Sequence, residues 1–220
     1  MSNLSDTVSS PSQQEKNWTL VATILGSSLV FINGSTVNVA LATLQRQLDA
    51  SVADIQWVLN AFLLFLAALI LIGGSLGDHL GRRRMYVWGT AIFGAASIWC
   101  GFAPNSEQLI MARAVQGIGG ALLTPGSLAI INATFERKDR GKAIGLWSGF
   151  SALTSAIGPL LGGWLIDTFS WRWIFFILVP LSVLVIAISL WKVSESKDVE
   201  AADSIDWQGA VLATFGLGGL

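Results

Sequence analysis

Charged side chains are scarce in this sequence. Only 12% of the 220 residues are charged while 53% are hydrophobic, whereas about a quarter of the residues in a typical soluble domain are charged. This composition argues against a water-soluble protein. The net charge of −1 argues against nucleic acid as a partner, because the chain offers no overall basic field.

Cysteine and histidine occur once each, at Cys100 and His79. One cysteine permits no internal disulfide, and one histidine without further ligands does not form a zinc site. The sequence also offers no nucleophile paired with a base. We therefore expect no metal, no cofactor and no enzymatic activity.

Long runs without charge dominate the chain instead. A helix that crosses the hydrocarbon core needs about 20 mostly apolar residues, and six charge-free intervals provide that length. They cover residues 17–45, 55–77, 85–106, 114–135, 143–166 and 173–191. The fourth span is expected to start near Gln108 and so to include Arg113. A seventh apolar run covers only the 14 residues 207–220, so we expect the chain to stop inside a helix.

These intervals divide the chain into four parts. Residues 1–17 are rich in Ser, Pro and Gln and are expected to form a disordered cytoplasmic tail without a cleaved signal. Residues 18–192 are expected to form the six-span bundle, 193–206 a cytoplasmic linker, and 207–220 the truncated start of span seven.

Basic residues are sorted to one side of these spans. With a cytoplasmic N-terminus, ten of the thirteen Lys and Arg residues fall in cytoplasmic segments, Arg46 and Arg172 fall outside, and Arg113 lies in the membrane. Cytoplasmic loops of membrane proteins carry an excess of Lys and Arg. The sequence therefore predicts a multi-pass protein of the cell (plasma or inner) membrane with its N-terminus in the cytoplasm.

A short pattern occurs twice, 89 residues apart. "GGSLGDHLGRR" at Gly73 to Arg83 and "GGWLIDTFSWR" at Gly162 to Arg172 share the pattern GGxLxDxxxxR. The first copy ends span two on the cytoplasmic side, and the second ends span five on the outer side. This arrangement predicts an inverted repeat of three plus three spans, although short Gly, Asp and Arg patterns also recur by chance at membrane exits.

The first copy lies in a loop for which several functions can be considered. A phosphate-binding loop would need Gly-Lys-Ser/Thr, which is absent, and His79 lacks companion metal ligands. The arginines are expected to anchor the topology. The glycines and the aspartate indicate a short loop clamped between moving helices. The candidates for this gating loop are Gly74, Asp78, Gly81, Arg82 and Arg83.

The loop resembles the signature that joins spans two and three in the major facilitator superfamily. "LIMARAVQGIGGA", Leu109 to Ala121, resembles that superfamily's span-four motif, and "SAIGPLLGG", Ser155 to Gly163, its span-five antiporter motif. "WRWIFFILVP" and "IDWQG" are similar to stretches of the drug:proton antiporter branch with fourteen spans. The resemblance implies export of amphipathic drug-like or metabolic compounds by alternating access, with proton exchange.

The resemblance also implies that Arg113 takes part in proton coupling. In that branch span one usually carries an aspartate where this chain has Asn33, so the acid that would pair with Arg113 is lost. Alternatively, Arg113 snorkels to the outer interface. The residues expected to serve coupling or to line the cavity are Asn33, Asn38, Arg113, Gln116 and Gly117.

Span five carries two pairs of glycines at helical spacing. Gly145-x-x-x-Gly149 and Gly158-x-x-x-Gly162 present small faces for close helix contact, and Pro159 can kink the helix because it lacks an N–H donor. By resemblance, this motif limits leak and shapes the central cavity. Its candidate residues are Gly158, Pro159, Gly162 and Gly163.

The sequence thus indicates an all-α polytopic membrane protein, the six-helix N-terminal half of a major facilitator fold plus the start of a seventh span. Its expected partners are the lipid bilayer, a small-molecule substrate, protons and a C-terminal half that this chain does not contain. Two alternatives stay open. One is a uniporter or exporter of an anionic substrate that uses Arg113, and the other is a non-transporting membrane subunit or regulator.

Overall fold

Helices account for all the regular structure in residues 12–197, which are the part of the chain that the computed structural model describes. The helices are α1 (Gln13–Gln47), α2 (Val52–Leu80), α3 (Arg82–Phe102), α4 (Ser106–Thr134), α5 (Arg137–Thr168), α6 (Trp173–Phe176) and α7 (Leu178–Lys192). The short α6 continues into α7 to form one span, Trp173–Lys192, and each of the other five helices is long and apolar enough to cross a membrane. The prediction of six spans and of an all-α polytopic membrane protein is confirmed.

The first helix begins earlier than the sequence predicted. Helix α1 starts at Gln13, inside the tail expected over residues 1–17, and the Ser12 hydroxyl accepts a hydrogen bond from the Glu15 amide at 3.2 Å. The boundary predicted at residue 17 is therefore too late, because Ser12 supplies a helix cap and α1 already includes the charged residues Glu15 and Lys16. Residues 1–11, most of the linker, the start of span seven and the "IDWQG" motif lie outside the described residues.

Tight connections join the helices. At the start of α2, Ser51 and Asp54 form a capping box, in which each side chain accepts from the other residue's backbone amide. Only Gly81 separates α2 from α3, and its φ of 118° lies in a region that residues with a Cβ rarely adopt. Glycine at this position allows α3 to start directly after α2 turns back.

The packing of the helices has the symmetry that the repeated pattern predicts. Helix α4 packs on α2 and α3, and α1 packs on α5 and α7. Exchanging α1 with α4, α2 with α5, and α3 with the α6–α7 span leaves these pairings unchanged. The equivalent glycines follow the same rule, since Gly73 of α2 lies against the Ala121 backbone of α4 and Gly162 of α5 lies against Thr36 of α1. The helix pairings therefore agree with an inverted repeat of three plus three spans.

Helices α2 and α5 are the least enclosed spans. Only 28% of the most hydrophobic stretch of α2 and 22% of that of α5 is buried, against 56% for α3 and α4. Large apolar side chains of both helices are exposed, among them Leu63, Leu71, Phe150 and Leu160. Surfaces of this kind need lipid or another part of a protein to cover them.

Candidate functional site

Arg113 lies in the interior of the bundle and connects three helices. It projects from α4 and is 1% exposed. Its Nε donates to the Val58 carbonyl of α2 at 3.0 Å, and its Nη1 donates to Asn33 Oδ1 of α1 at 3.1 Å and to Gln116 Oε1 at 2.6 Å. The guanidinium also sits 4.3 Å from the centre of the Phe62 ring. The alternative in which Arg113 snorkels to the outer interface is therefore wrong, because the side chain is buried and its Nε and Nη1 donate to groups inside the bundle.

The polar network extends from Gln116 to a fourth helix. Gln116 Nε2 donates to the Ser97 hydroxyl of α3 at 2.8 Å, and that hydroxyl donates to the Phe93 carbonyl at 2.8 Å. All four side chains of the network, Asn33, Arg113, Gln116 and Ser97, are buried. Ser97 could not be predicted as a member of this network, since a serine in an apolar run belongs to no distinguishing motif. Together these groups tie α1, α2, α3 and α4 at one level of the bundle.

The positive charge of Arg113 has no carboxylate beside it. Within residues 12–197, no Asp or Glu forms an ion pair with Arg113, and acids such as Asp54 and Asp78 lie in the first and last turns of helix α2. Amide and carbonyl oxygens and the Phe62 ring take the place of an acid. In addition, Asn33 Nδ2 is buried and has no hydrogen-bond partner in the described structure. The network therefore presents an unmatched charge and an unmatched N–H donor close together.

Two residues predicted for the same site have different surroundings. Asn38 is exposed, and its amide donates to the Gly34 carbonyl of its own helix at 2.7 Å. It does not join the Arg113 network. Gly117 lies where α4 touches α2, because a Cβ there would be 2.5 Å from the Phe62 carbonyl oxygen and 3.0 Å from Phe65 Cβ. Its role in the structure is to let the two helices approach beside Arg113.

The predicted gating loop forms a compact charged turn. Arg82 bonds Asp78 through Nε and Nη2, both at 2.8 Å from Oδ1. Gly74 lies on the side of α2 that faces Pro125 of α4, with ordinary van der Waals spacing. The ion pair links the last turn of α2 to the first residue of α3, and the backbone conformation of Gly81 allows the chain to reverse direction between them.

Glu195, which no motif marked, caps helix α3 from the segment after α7. Its carboxylate accepts from the backbone amides of Arg83 at 3.0 Å and Arg84 at 3.2 Å. Gly81 occupies the N-cap position of α3 and has no side chain that could accept a hydrogen bond from these amides. Arg82 N also donates to the Ser196 carbonyl at 2.9 Å. The loop between spans two and three is thereby fixed to the segment that follows α7.

The repeated arginines each hold the end of a helix. Arg83 Nη1 donates to the carbonyl of Val193, the C-cap residue of α7, at 3.0 Å. Arg172 Nη1 donates to the carbonyls of Gly101 at 2.8 Å and Ala103, the C-cap residue of α3, at 2.7 Å. Cationic side chains stabilise helix C-termini, where carbonyl groups lack partners within the helix. The two copies of the pattern place this interaction at opposite ends of the bundle.

The glycines of α5 divide into packed and open positions. Gly158 lies against the Ser35 side chain of α1, and a Cβ on Gly162 would be 3.1 Å from Thr36 Cα. Pro159 is exposed. A Cβ on Gly145, Gly149 or Gly163 would meet no described atom within 4 Å. Of the two predicted glycine pairs, only Gly158 and Gly162 make close helix contact among residues 12–197.

Comparison with known proteins gives one family and many relatives. The family described as the Major Facilitator Superfamily matches residues 23–217. Multidrug resistance protein Stp of Mycobacterium tuberculosis is 38% identical over 203 residues, which are 92% of this chain and 38% of that protein. The tetracenomycin C resistance and export protein of Streptomyces glaucescens is 34% identical over 194 residues, which are 88% of this chain and 36% of that protein.

A solved structure shares the fold. It is a bacterial homolog of the human lysosomal transporter Spinster in an inward-facing, unoccupied conformation. The TM-score is 0.74 and the sequence identity 22%, and the match covers 93% of this chain and 50% of the other. The chain thus spans less than two fifths of the length of these two curated relatives and half of the solved structure.

Proposed function

Since the chain belongs to the major facilitator superfamily, we propose that the protein is a secondary transporter that exports amphipathic organic compounds, drug-like or metabolic, by alternating access. The names of two relatives support export as the activity, one being a multidrug resistance protein and the other a resistance and export protein. The six spans with their inverted helix pairings support alternating access, in which repeats rock about a central site.

We infer that residues 18–192 act as one half of the transport unit. In this arrangement the exposed apolar faces of α2 and α5 pack in part on a second half of the protein, and the substrate binds between the halves near the middle of the membrane. The segment from residue 193 leads through a cytoplasmic linker to a seventh span that starts near residue 207. The relatives are longer than this chain, which leaves room for such a second half.

The Arg113 network is the observation that carries the proposal. A charged side chain inside a membrane bundle is costly and generally serves a substrate path or a coupling step. Arg113 contacts α1, α2 and α4 directly and reaches α3 through Gln116. A change in the occupancy or charge near this group therefore acts on four helices together, as a transport cycle requires.

We propose that export is coupled to protons, with the titrating acid outside this network. Aspartate or glutamate side chains are absent from the middle of the described spans, since Asp54, Asp78, Glu107 and Asp167 lie in first or last helical turns. A carboxylate for proton exchange then has to come from another part of the protein. Arg113 would respond to its charge state through the network rather than exchange the proton itself.

A second candidate function is export of an anionic compound. The unmatched charge of Arg113 and the unpartnered Asn33 Nδ2 favour it, since a carboxylate or sulfonate could accept from both groups. This candidate and the first differ in substrate charge. Both keep the same six-span scaffold.

We propose a plasma-membrane or inner-membrane location with a cytoplasmic N-terminus. Ten of the thirteen basic residues fall on the cytoplasmic side in that orientation. A cysteine placed at Asn105 should react with a membrane-impermeant maleimide in intact cells, whereas one placed at Lys142 should react only in opened cells. The variants need Cys100→Ala as background because Cys100 is the chain's only cysteine. The opposite labelling pattern would reverse the orientation.

Transport by the full-length protein in everted membrane vesicles tests the substrate class. Vesicles are energised by an imposed pH gradient and offered a cationic or an anionic amphipathic dye. Gradient-driven uptake of the cationic dye supports proton-coupled export of amphipathic compounds. Uptake of the anionic dye alone, with no proton movement on its addition, supports the second candidate. Uptake of neither dye by correctly folded protein contradicts both.

A further inference from the structure

A groove at the basic end of the bundle combines cations with an apolar wall. It has a volume of about 540 Å³ and lies between the start of α3 and the end of α7. Its apolar wall consists of Leu80, Val87, Trp88 and Leu190. Trp88 and Leu190 are 58% and 57% exposed. This groove shares Arg83 with the gating loop but lies away from the Arg113 network.

The charges along the groove leave a positive surplus. Arg83, Arg84, Lys197 and Glu195 line it. Arg83 and Glu195 offset one another, with 3.7 Å between Nε and Oε2. Arg84 and Lys197 are exposed, and within residues 12–197 neither forms an ion pair. Two cations from separate segments therefore line the same cavity, and Glu195, the one acid among its described lining residues, pairs with Arg83 rather than with either of them.

The order of these groups along the membrane normal matches an amphipathic ligand. Arg84 lies in the first turn of α3, and Trp88 lies one turn deeper in the same helix. Leu190 lies in the last turn of α7, and Lys197 follows that helix. Tryptophan is enriched where the hydrocarbon core meets the headgroups. In the membrane orientation proposed above, the cations lie at headgroup level and the apolar wall at the level of acyl chains.

We propose that this groove binds an anionic phospholipid, with its phosphate between Arg84 and Lys197 and an acyl chain along Trp88 and Leu190. Charge complementarity carries the choice of ligand, since basic pockets between helices on the cytoplasmic side suit anionic headgroups. A soluble anion would leave the apolar wall unused. A zwitterionic lipid would leave the positive surplus unmatched.

Native mass spectrometry of the purified, delipidated full-length protein tests this site. The probes are phosphatidylglycerol, phosphatidylcholine and soluble glycerol phosphate. Arg84→Gln with Lys197→Gln removes both cations and keeps the Arg84 backbone amide that Glu195 accepts from. Because each cation near a membrane surface contributes about 1 kcal/mol to lipid attraction, we expect phosphatidylglycerol to bind about 25-fold more weakly to the double variant and about fivefold more weakly to each single variant.

The matched control is Arg137→Gln with Lys142→Gln. These residues are exposed cations of α5, at the same end of the bundle but outside the groove. The control should bind phosphatidylglycerol as the wild type does. Equal weakening in both double variants would overturn the proposal, since general surface charge would then explain the binding.

The other probes separate a lipid site from a site for free phosphate. Phosphatidylcholine should bind the wild type at least tenfold more weakly than phosphatidylglycerol, and glycerol phosphate should not compete. Competition by glycerol phosphate, or equal binding of the two lipids, would overturn the proposal. Trp88→Ala keeps both cations, so weaker lipid binding by this variant with an unchanged melting temperature would confirm the apolar wall. Unchanged binding by Trp88→Ala would contradict the proposed position of the acyl chain.

Discussion

Arg83 and Arg172 make the same type of contact at opposite ends of the bundle. Arg83 donates to the Val193 carbonyl at the end of α7 at 3.0 Å, and Arg172 donates to the Ala103 carbonyl at the end of α3 at 2.7 Å. The two arginines hold the last position of the repeated GGxLxDxxxxR pattern. The last residue of the pattern therefore has a structural function, which is to bind the C-terminus of a helix. Its two copies also agree with an inverted repeat of the two sets of three spans.

Arg172→Gln should lower the stability of the full-length protein. The change removes donors from the Gly101 and Ala103 carbonyls, for which a cost of about 1–3 kcal/mol is expected. Thermal unfolding in detergent measures the effect. Arg46→Gln is the control, because Arg46 is an exposed arginine in the last turn of α1. Equal loss of stability in both variants would mean that helix capping by Arg172 is not the cause.

Glu195→Ala should loosen the first turn of α3. The carboxylate accepts from the amides of Arg83 and Arg84, and loss of a helix cap costs about 0.5–2 kcal/mol. Hydrogen exchange of these two amides should become faster, while exchange in the middle of α3 stays unchanged. Glu107→Ala, in the first turn of α4, should leave the α3 amides as they are. Protection of both amides in Glu195→Ala would show that the cap is not needed.

Gly119→Ala should destabilise the contact between α3 and α4. A Cβ at this position would lie 2.6 Å from Phe93 N and 2.8 Å from the Gly89 carbonyl oxygen. Backbone atoms cannot rotate away, so we expect a cost of about 1–3 kcal/mol from overpacking. Gly141→Ala is the control, since a Cβ there meets no described atom within 4 Å. A melting temperature of Gly119→Ala equal to that of Gly141→Ala would contradict this packing.

The sequence alone predicts those features whose physical cause is local. Six spans follow from charge-free length, because a charge in the hydrocarbon core is costly. The same cost indicated that Arg113 has a special role. Asn33 was predicted as its partner because it occupies a position where the drug:proton antiporter branch usually has an aspartate. The early start of α1 was not predicted, because the span was placed after the last charged residue. Ser12 caps the helix before the two charged residues that follow it, Glu15 and Lys16.

Long-range contacts could not be predicted in the same way. Glu195 is an ordinary acid near a span end, and only the fold brings its carboxylate to the first turn of α3. Asn38 was predicted to serve coupling or to line the cavity, but its amide donates to a carbonyl of its own helix. Gly145 has the same spacing to its partner as Gly158 has, yet only the fold decides which glycine meets α1.

Asn33→Asp should strengthen the Arg113 network and alter its response to protons. Asn33 Oδ1 already lies 3.1 Å from Arg113 Nη1, so a carboxylate there would pair with the buried cation and remove the unpartnered Nδ2 donor. We expect a stability gain of about 1–3 kcal/mol and stronger proton-dependent export by the full-length protein. Asn33→Leu, which supplies no acceptor, should lower stability. Unaltered pH dependence of export in Asn33→Asp would count against a role of this position in coupling.

Gradient-driven export of an amphipathic dye by the full-length protein in proteoliposomes tests the central claim most directly. We predict that an imposed pH gradient drives export without ATP, that collapse of the gradient stops it, and that Arg113→Gln reduces it at least tenfold while Arg46→Gln leaves it unchanged. Arg113→Lys separates charge from geometry and should also be impaired, because lysine cannot bond Val58, Asn33 and Gln116 together from one planar group. Export at the wild-type rate by folded Arg113→Gln would contradict the account.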